Sequence, residues 1–203
     1  MNNMNYLAIV GSNADKSTNR MLLKYMQKHF EKQANIEICE IKNFPVFDES
    51  DITNVPEPIK KMVESISSSD GVIISTPEYD HSIPAALKSV LEWLSYVSES
   101  LYKKPVMITG ASHGSLGSSR AQNHLRQILD SPEISARVMP SSEFLLGHSL
   151  LAFDDNGNLS DANKVKELEN DFSQFLQFSD EVNQLMKKHP VKRTGHQLWE
   201  LNK

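Results

Sequence analysis

Short apolar runs alternate along this chain with longer stretches in which apolar residues recur at helical spacing. Residues 6–10 (Tyr-Leu-Ala-Ile-Val) form the first run. A polar loop follows, and then Met21, Leu22, Tyr25, Met26, His29 and Phe30 share one helical face. The second run, 36–41, alternates in the manner of a half-buried strand. The runs at 72–74 and 106–109 are unbroken, as in strands buried on both faces of a parallel sheet. Helical spacing returns in Ile59, Met62, Val63 and Ile66, in Leu87, Val90, Leu91 and Leu94, and in Ala121, Leu125, Ile128 and Leu129. It returns last in Val165, Leu168, Phe172, Phe175, Val182 and Met186, a long terminal helix expected to cover one face of the sheet. Residues 135–140 read as a short fifth strand, and 143–151 as a further extended segment. Five strands alternating with five helices predict an α/β domain with a parallel sheet in order 2-1-3-4-5. One domain over 1–188 is expected, with 189–203 as a weakly ordered tail.

Three loops carry the candidate chemistry. They follow strands one, three and four, at the carboxyl ends where open parallel sheets bind ligands. In the first, Gly11-Ser12-Asn13-Ala14-Asp15-Lys16-Ser17-Thr18-Asn19-Arg20, small polar residues sit at a helix start. Capping needs only one of them. Several hydroxyls beside free N–H groups also make a phosphate cradle, and four small polar side chains favour that second reading. The loop has neither the triphosphate pattern Gly-x-x-x-x-Gly-Lys-Ser/Thr nor the dinucleotide pattern Gly-x-Gly-x-x-Gly. The second loop is Thr76-Pro77-Glu78-Tyr79-Asp80-His81-Ser82-Ile83-Pro84, bounded by prolines, with Pro84 opening a helix. It is either an ordinary strand-to-helix connection or a stiff backbone edge for a flat, polar-edged ligand, with Tyr79 supplying an aromatic face. The third, Gly110-Ala111-Ser112-His113-Gly114-Ser115-Leu116-Gly117, has three glycines that allow the backbone to approach a ligand closely. In the 2-1-3-4-5 order the first two loops lie side by side and the third is next to them.

Composition narrows the field. The chain has 203 residues, 39% hydrophobic, 23% charged, and a net charge of −5, which supplies no global attraction to nucleic acid or an anionic membrane. Its one cysteine, Cys39, excludes an intrachain disulfide and reads as a buried, inert thiol. No Cys/His set has zinc spacing, and Asp154-Asp155-Asn156-Gly157 lacks the calcium-loop pattern, so no metal is expected. No apolar run reaches the roughly 20 residues of a membrane span. A cytoplasmic protein is expected. Trp93 is read as packing, with Phe44 and Phe47 as pins for an irregular loop.

Taken together, the three loops resemble those of the NADPH-dependent FMN reductase family, flavodoxin-like proteins that include quinone, azo-dye and chromate reductases. The matching segments are Gly11-Ser12 with Ser17-Thr18-Asn19-Arg20, Pro77 to Pro84 with Leu87-Lys88 and Glu92-Trp93, and Lys104-Pro105 with Gly110 to Gly114, Arg120-Ala121-Gln122 and Leu125-Arg126. The resemblance spans about residues 5 to 150, and Pro-Glu-Tyr is its most specific part. It implies a flavodoxin-like three-layer sandwich and bound FMN. Ser12, Ser17 and Asn19 would hold the phosphate, with Thr18 among the cofactor-binding residues. Pro77, Glu78, Tyr79 and Asp80 would run along the isoalloxazine, and Ser112 and Gly114 would touch its other end. It also implies NADPH or NADH as co-substrate and a small acceptor such as a quinone, azo compound or flavin. The flavin would carry the chemistry, with no acid–base residue. A homodimer or homotetramer is implied, with Trp93 and Arg120 as interface candidates. A flavodoxin-type electron carrier serving a protein partner is the alternative, and a regulatory protein that has lost the cofactor is a third reading. The sequence departs from the family pattern at Ala14, where Arg is usual, at Lys16 for Gly, at Asp80 for Asn and at His113 for Pro.

Overall fold

The computed structural model describes residues 3–140 and 143–191. Among the described residues are five α-helices and six strands, alternating up to the fifth strand. They are β1 (Met4–Val10), α1 (Thr18–His29), β2 (Ala34–Glu40), α2 (Glu57–Ser68), β3 (Gly71–Ser75) and α3 (Ala85–Val97). β4 (Pro105–Ala111), α4 (Ser119–Leu129), β5 (Arg137–Val138), β6 (Phe144–Leu146) and α5 (Ala162–Lys188) complete the order. The sheet is parallel throughout, in order β2-β1-β3-β4-β5, with β6 also on β4. The fifth position is therefore shared by two short strands. β5 pairs with the start of β4 and β6 with its end. Pro140 stands between them and lacks the N–H that a continuous ladder would need.

Alternation along the strands sorts the core into two layers. Tyr6, Ala8 and Val10 of β1 and Ile73 of β3 face α1 and α5, where they meet Leu22, Met26, Phe30, Phe172 and Phe175. Leu7, Ile9, Val72 and Ile74 face α2, α3 and α4, against Met62, Ile66, Leu87, Leu91 and Leu125. From Tyr6 onward β1 is covered on both faces, as are β3 and β4, and polar side chains return only near their carboxyl ends. There the residue types change to Gly11, Ser12, Ser75, Thr76, Thr109 and Ser112. The terminal helix runs 27 residues. It is tied to the sheet by a hydrogen bond between the Tyr6 hydroxyl and Ser179 and by Asn183 Nδ2 donating to Asp70 O at 2.8 Å.

Trp93 is buried, and its Nε1 donates to Pro45 O at 3.0 Å while Phe47 packs edge-on against it. It anchors the 43–48 loop within this chain and presents no surface of its own. Cys39 is partly buried, and burial together with Glu37 and Glu40 pushes its thiol up to about 11. Most of the expected tail, residues 192–203, lies outside the described residues. Among the described residues no helix is long and apolar enough to cross a membrane, and no group of His, Cys, Asp and Glu could hold a metal ion.

Candidate functional site

The three loops meet in a cleft of about 530 Å³ at the carboxyl ends of β1, β3 and β4. Its size falls in the range of small-molecule sites. Ser12, Ser17, Thr18, Asn19, Pro77, Glu78, Tyr79, Ser112 and Gly114 all line it. Lys16, His81, Ala111, His113, Ser115, Leu116 and Arg120 complete the wall. Asp80 is not part of the lining.

The close approach of the loops has a steric basis. A Cβ on Gly11 would lie 2.7 Å from Ser75 O, and Gly11 N donates to that same oxygen at 2.8 Å. A Cβ on Gly110 would fall 2.0 Å from Ser118 Oγ and 2.5 Å from Thr76 O. Side chains at either position would force strand ends apart.

At the first loop, Ser17 caps α1 in extended backbone, its Oγ accepting from Arg20 N at 3.3 Å. The N–H groups of Thr18 and Asn19 belong to the first turn, which leaves them without intrahelical acceptors. Both residues line the cleft. The two side chains are used differently. Thr18 Oγ1 shares a buried hydrogen bond with Ser149 Oγ at 2.9 Å. Asn19 Oδ1 accepts from Ala111 N at 2.9 Å and from Ser75 Oγ at 2.8 Å, and its Nδ2 donates to Ala111 O at 2.9 Å. Arg20 points away from the cleft. Its Nη2 bonds Glu40 Oε2 at 2.7 Å, and its Nη1 donates to the carbonyls of Ala14 and Asp15 at 3.0 and 2.9 Å. The loop that lacks the usual Arg at position 14 is thus held from behind, and Lys16 is the cation of this loop that lines the cleft.

At the second loop, Tyr79 and Ser82 exchange two backbone hydrogen bonds of 2.9 Å, and the residues between them, Asp80 and His81, have φ of 49° and 63°. This is the left-handed two-residue turn that favours Asn, Asp and Gly. Asp80 accordingly occupies a turn tip. Glu78 reaches the other way. Its Oε2 accepts from Arg120 N at 3.0 Å and Ala121 N at 3.4 Å, and its Oε1 from Arg120 Nη1 at 3.0 Å. Burial pulls the Glu78 carboxyl upward, but the bonds from Arg120 and Ala121 outweigh it and hold the group below the ordinary glutamate value. His124 Nδ1 meets Ser82 Oγ at 3.0 Å, a second tie between loop and α4.

The third loop is laced to the segment after β6. Ser112 N donates to Leu146 O, His148 N to Gly114 O and Ser149 N to Ser112 O, each at 3.0 Å. A Cβ on Gly114 would meet nothing within 4 Å, so this side of the loop is open toward the cleft. Leu116 and Tyr79, both about half exposed, line the same cleft from different loops. The contribution of Ser149 is invisible in sequence, because it stands 131 residues from Thr18 beyond the patterned loops. Leu116 had a weak signal, an apolar residue among serines and glycines.

These residues fit FMN. Unsatisfied N–H groups and Ser17 suit a phosphate, and the open wall at Gly114 with the stiff Pro77–Tyr79 edge suits a flat ring.

Comparison with known proteins agrees with this chemistry. A family model described as NADPH-dependent FMN reductase matches residues 4–150. The NADH:(hydroxy)cinnamate reductase subunit CrdA of Vibrio ruber is 56% identical, over 93% of this chain and 93% of that protein. The NADH-dependent flavin reductase subunit 2 of Lactobacillus johnsonii is 41% identical, over 88% of this chain and 99% of its own. Among solved structures, the flavoenzyme NAD(P)H:(acceptor) oxidoreductase FerB of Paracoccus denitrificans superposes with a TM-score of 0.71 at 26% identity, covering 93% of this chain and 100% of the other.

Proposed function

The chain belongs to the NADPH-dependent FMN reductase family, and from that premise we propose that the three-loop cleft binds FMN and receives the nicotinamide of NADH or NADPH on its open side. The chain is an FMN-dependent NAD(P)H oxidoreductase. FMN supplies the hydride chemistry when bound, and the protein binds, orients and shields. The observation that carries the site assignment is the convergence of the α1 start, the Pro77–Tyr79 edge and the Ser112–Gly114 wall on one cleft. The Thr18 and Asn19 N–H groups, Ser17 Oγ and Lys16 receive the phosphate. Ser12, Pro77, Glu78, Tyr79, Ser112 and Gly114 border the ring and its linker. Tyr79 and Leu116 form an apolar rim over which flat partners enter. One rim serves both the nicotinamide and the acceptor, so the two bind in turn. Mixing FMN-loaded protein anaerobically with NADH tests this. Bleaching of the visible band without any acceptor is expected, and a band that persists until acceptor is added would overturn it.

Two of its relatives are named as subunits. That favours a partner subunit as the destination of the electrons, alongside small acceptors such as quinones. Leu150 and Leu151, 67% and 84% exposed, follow directly on Ser149, which bonds the cleft-lining Thr18, and support a protein contact beside the rim. Sedimentation of the purified chain, and identification of any second protein that co-purifies with the tagged chain, separate a homo-oligomer from a two-component assembly.

A further inference from the structure

Asn19 is 1% exposed, lines the cleft at the start of α1, and reaches with its side chain to the end of β4. Its amide forms a paired contact with the Ala111 backbone, giving to the carbonyl and taking from the N–H, both at 2.9 Å. A third bond comes from Ser75 Oγ at 2.8 Å. Ser75 is the last residue of β3 and Ala111 the last of β4, so one side chain on α1 joins the ends of two strands. Those strands lead directly into the Pro77–Tyr79 edge and the Ser112–Gly114 wall. The Oδ1 atom already has two donors, which fills its two lone pairs. The expectation that the Asn19 side chain is a phosphate ligand thus conflicts with its geometry.

We infer that Asn19 is a positioning residue: its amide sets the spacing between the two loops that hold the flavin ring, and only its backbone N–H faces the phosphate. The inference rests on the FMN reading above. Because Ser75 is fully buried, absent from the cleft lining and bonded to Asn19, it reports on the same device without touching any ligand.

Riboflavin shares the ring of FMN and lacks the phosphate, so it separates the two roles. The full chain, stripped of flavin, would be titrated with FMN and with riboflavin, following flavin fluorescence. Asn19→Ala is expected to weaken both ligands by the same factor, about tenfold for the loss of two or three buried hydrogen bonds. The ratio of the two dissociation constants should stay at the wild-type value. Bound FMN in the variant should also show an altered visible absorption envelope, because the ring-side loops have moved. Ser75→Ala should reproduce the pattern at about threefold, and it carries the test if Asn19→Ala does not fold. A loss confined to FMN would make Asn19 a phosphate ligand and overturn the inference. Unchanged affinity for both ligands in both variants would overturn it as well. Wild-type protein that binds neither flavin would instead refute the FMN reading itself.

Discussion

Glu78 caps a helix to which it does not belong, and Ser118 is the residue whose place it takes. Ser118 stands at the cap position of α4 in a left-handed conformation, φ 73°, and makes no side-chain cap bond. The Glu78 carboxylate instead accepts from the Arg120 and Ala121 N–H groups. A negative group at a helix amino end is favoured by the helix dipole as well as by the hydrogen bonds. The Pro77–Tyr79 edge is thereby clamped to α4.

Glu78→Ala should cost about 1 kcal/mol of stability, typical of a lost cap, and should loosen flavin binding. Urea denaturation and an FMN titration check the two parts.

The same group gives a pH signature. Its folded-state pKa is lowered by Arg120 and the helix N–H groups against the effect of burial. A depressed carboxylate contributes stability that is complete above its unfolded value, and that contribution is lost as pH falls through the folded value. The wild type should therefore lose stability below the ordinary glutamate range more steeply than Glu78→Gln. Denaturation midpoints measured across that acid range provide the comparison, and superimposable profiles would sink the argument.

Ser17→Ala removes a cap and, on the FMN reading proposed above, a phosphate donor. FMN affinity is expected to drop about tenfold, as for one charge-assisted bond, while riboflavin affinity stays near wild type. Thermal melting should register the lost cap at about 1 kcal/mol.

Two glycines should respond in opposite ways. Gly110→Ala places a methyl 2.0 Å from Ser118 Oγ and 2.5 Å from a backbone oxygen. A destabilisation of about 2–3 kcal/mol is expected from such overpacking. Gly114→Ala meets nothing within 4 Å in the protein. Its melting temperature should hold while FMN binding weakens, because the new methyl enters the cleft.

Asp80 was expected beside the flavin, where a carboxylate would tune the potential. Its position at a turn tip outside the cleft lining assigns it a backbone task. Asp80→Asn and Asp80→Gly should leave FMN affinity and reduction potential near wild type. Asp80→Val should cost about 1–2 kcal/mol, since a branched residue resists positive φ. A marked potential shift in Asp80→Asn, measured by spectroelectrochemistry, would return the carboxylate to the ring.

Much of this architecture is legible in the chain because the physics is local. Unbroken runs such as Val72-Ile73-Ile74 announce strands covered on both faces, and the three- and four-residue spacing of Leu168, Phe172 and Phe175 announces a helix with one buried face. The three ligand loops are also legible, since small and glycine-rich stretches follow directly on those runs. The direction of the side chains within them is not. Asn19 and Glu78 have the composition of ligands, but their partners, Ala111 and Arg120, lie 92 and 42 residues away. Thr18 and Ser149 are hidden from each other in the same way. Which of several polar groups faces the ligand is decided by packing between elements, and no local pattern records that.

The division of the fifth strand into β5 and β6 bears on how this protein meets other molecules. Strands of two and three residues present too short a row of free N–H and C=O groups to template another strand. At the opposite margin, β2 is longer but carries Glu37 and Glu40, charges that resist pairing with a neighbour. Neither border of the sheet invites a second chain to extend it. Among the described residues, contacts with other molecules therefore fall to the helices and the loop rim rather than to the sheet edges.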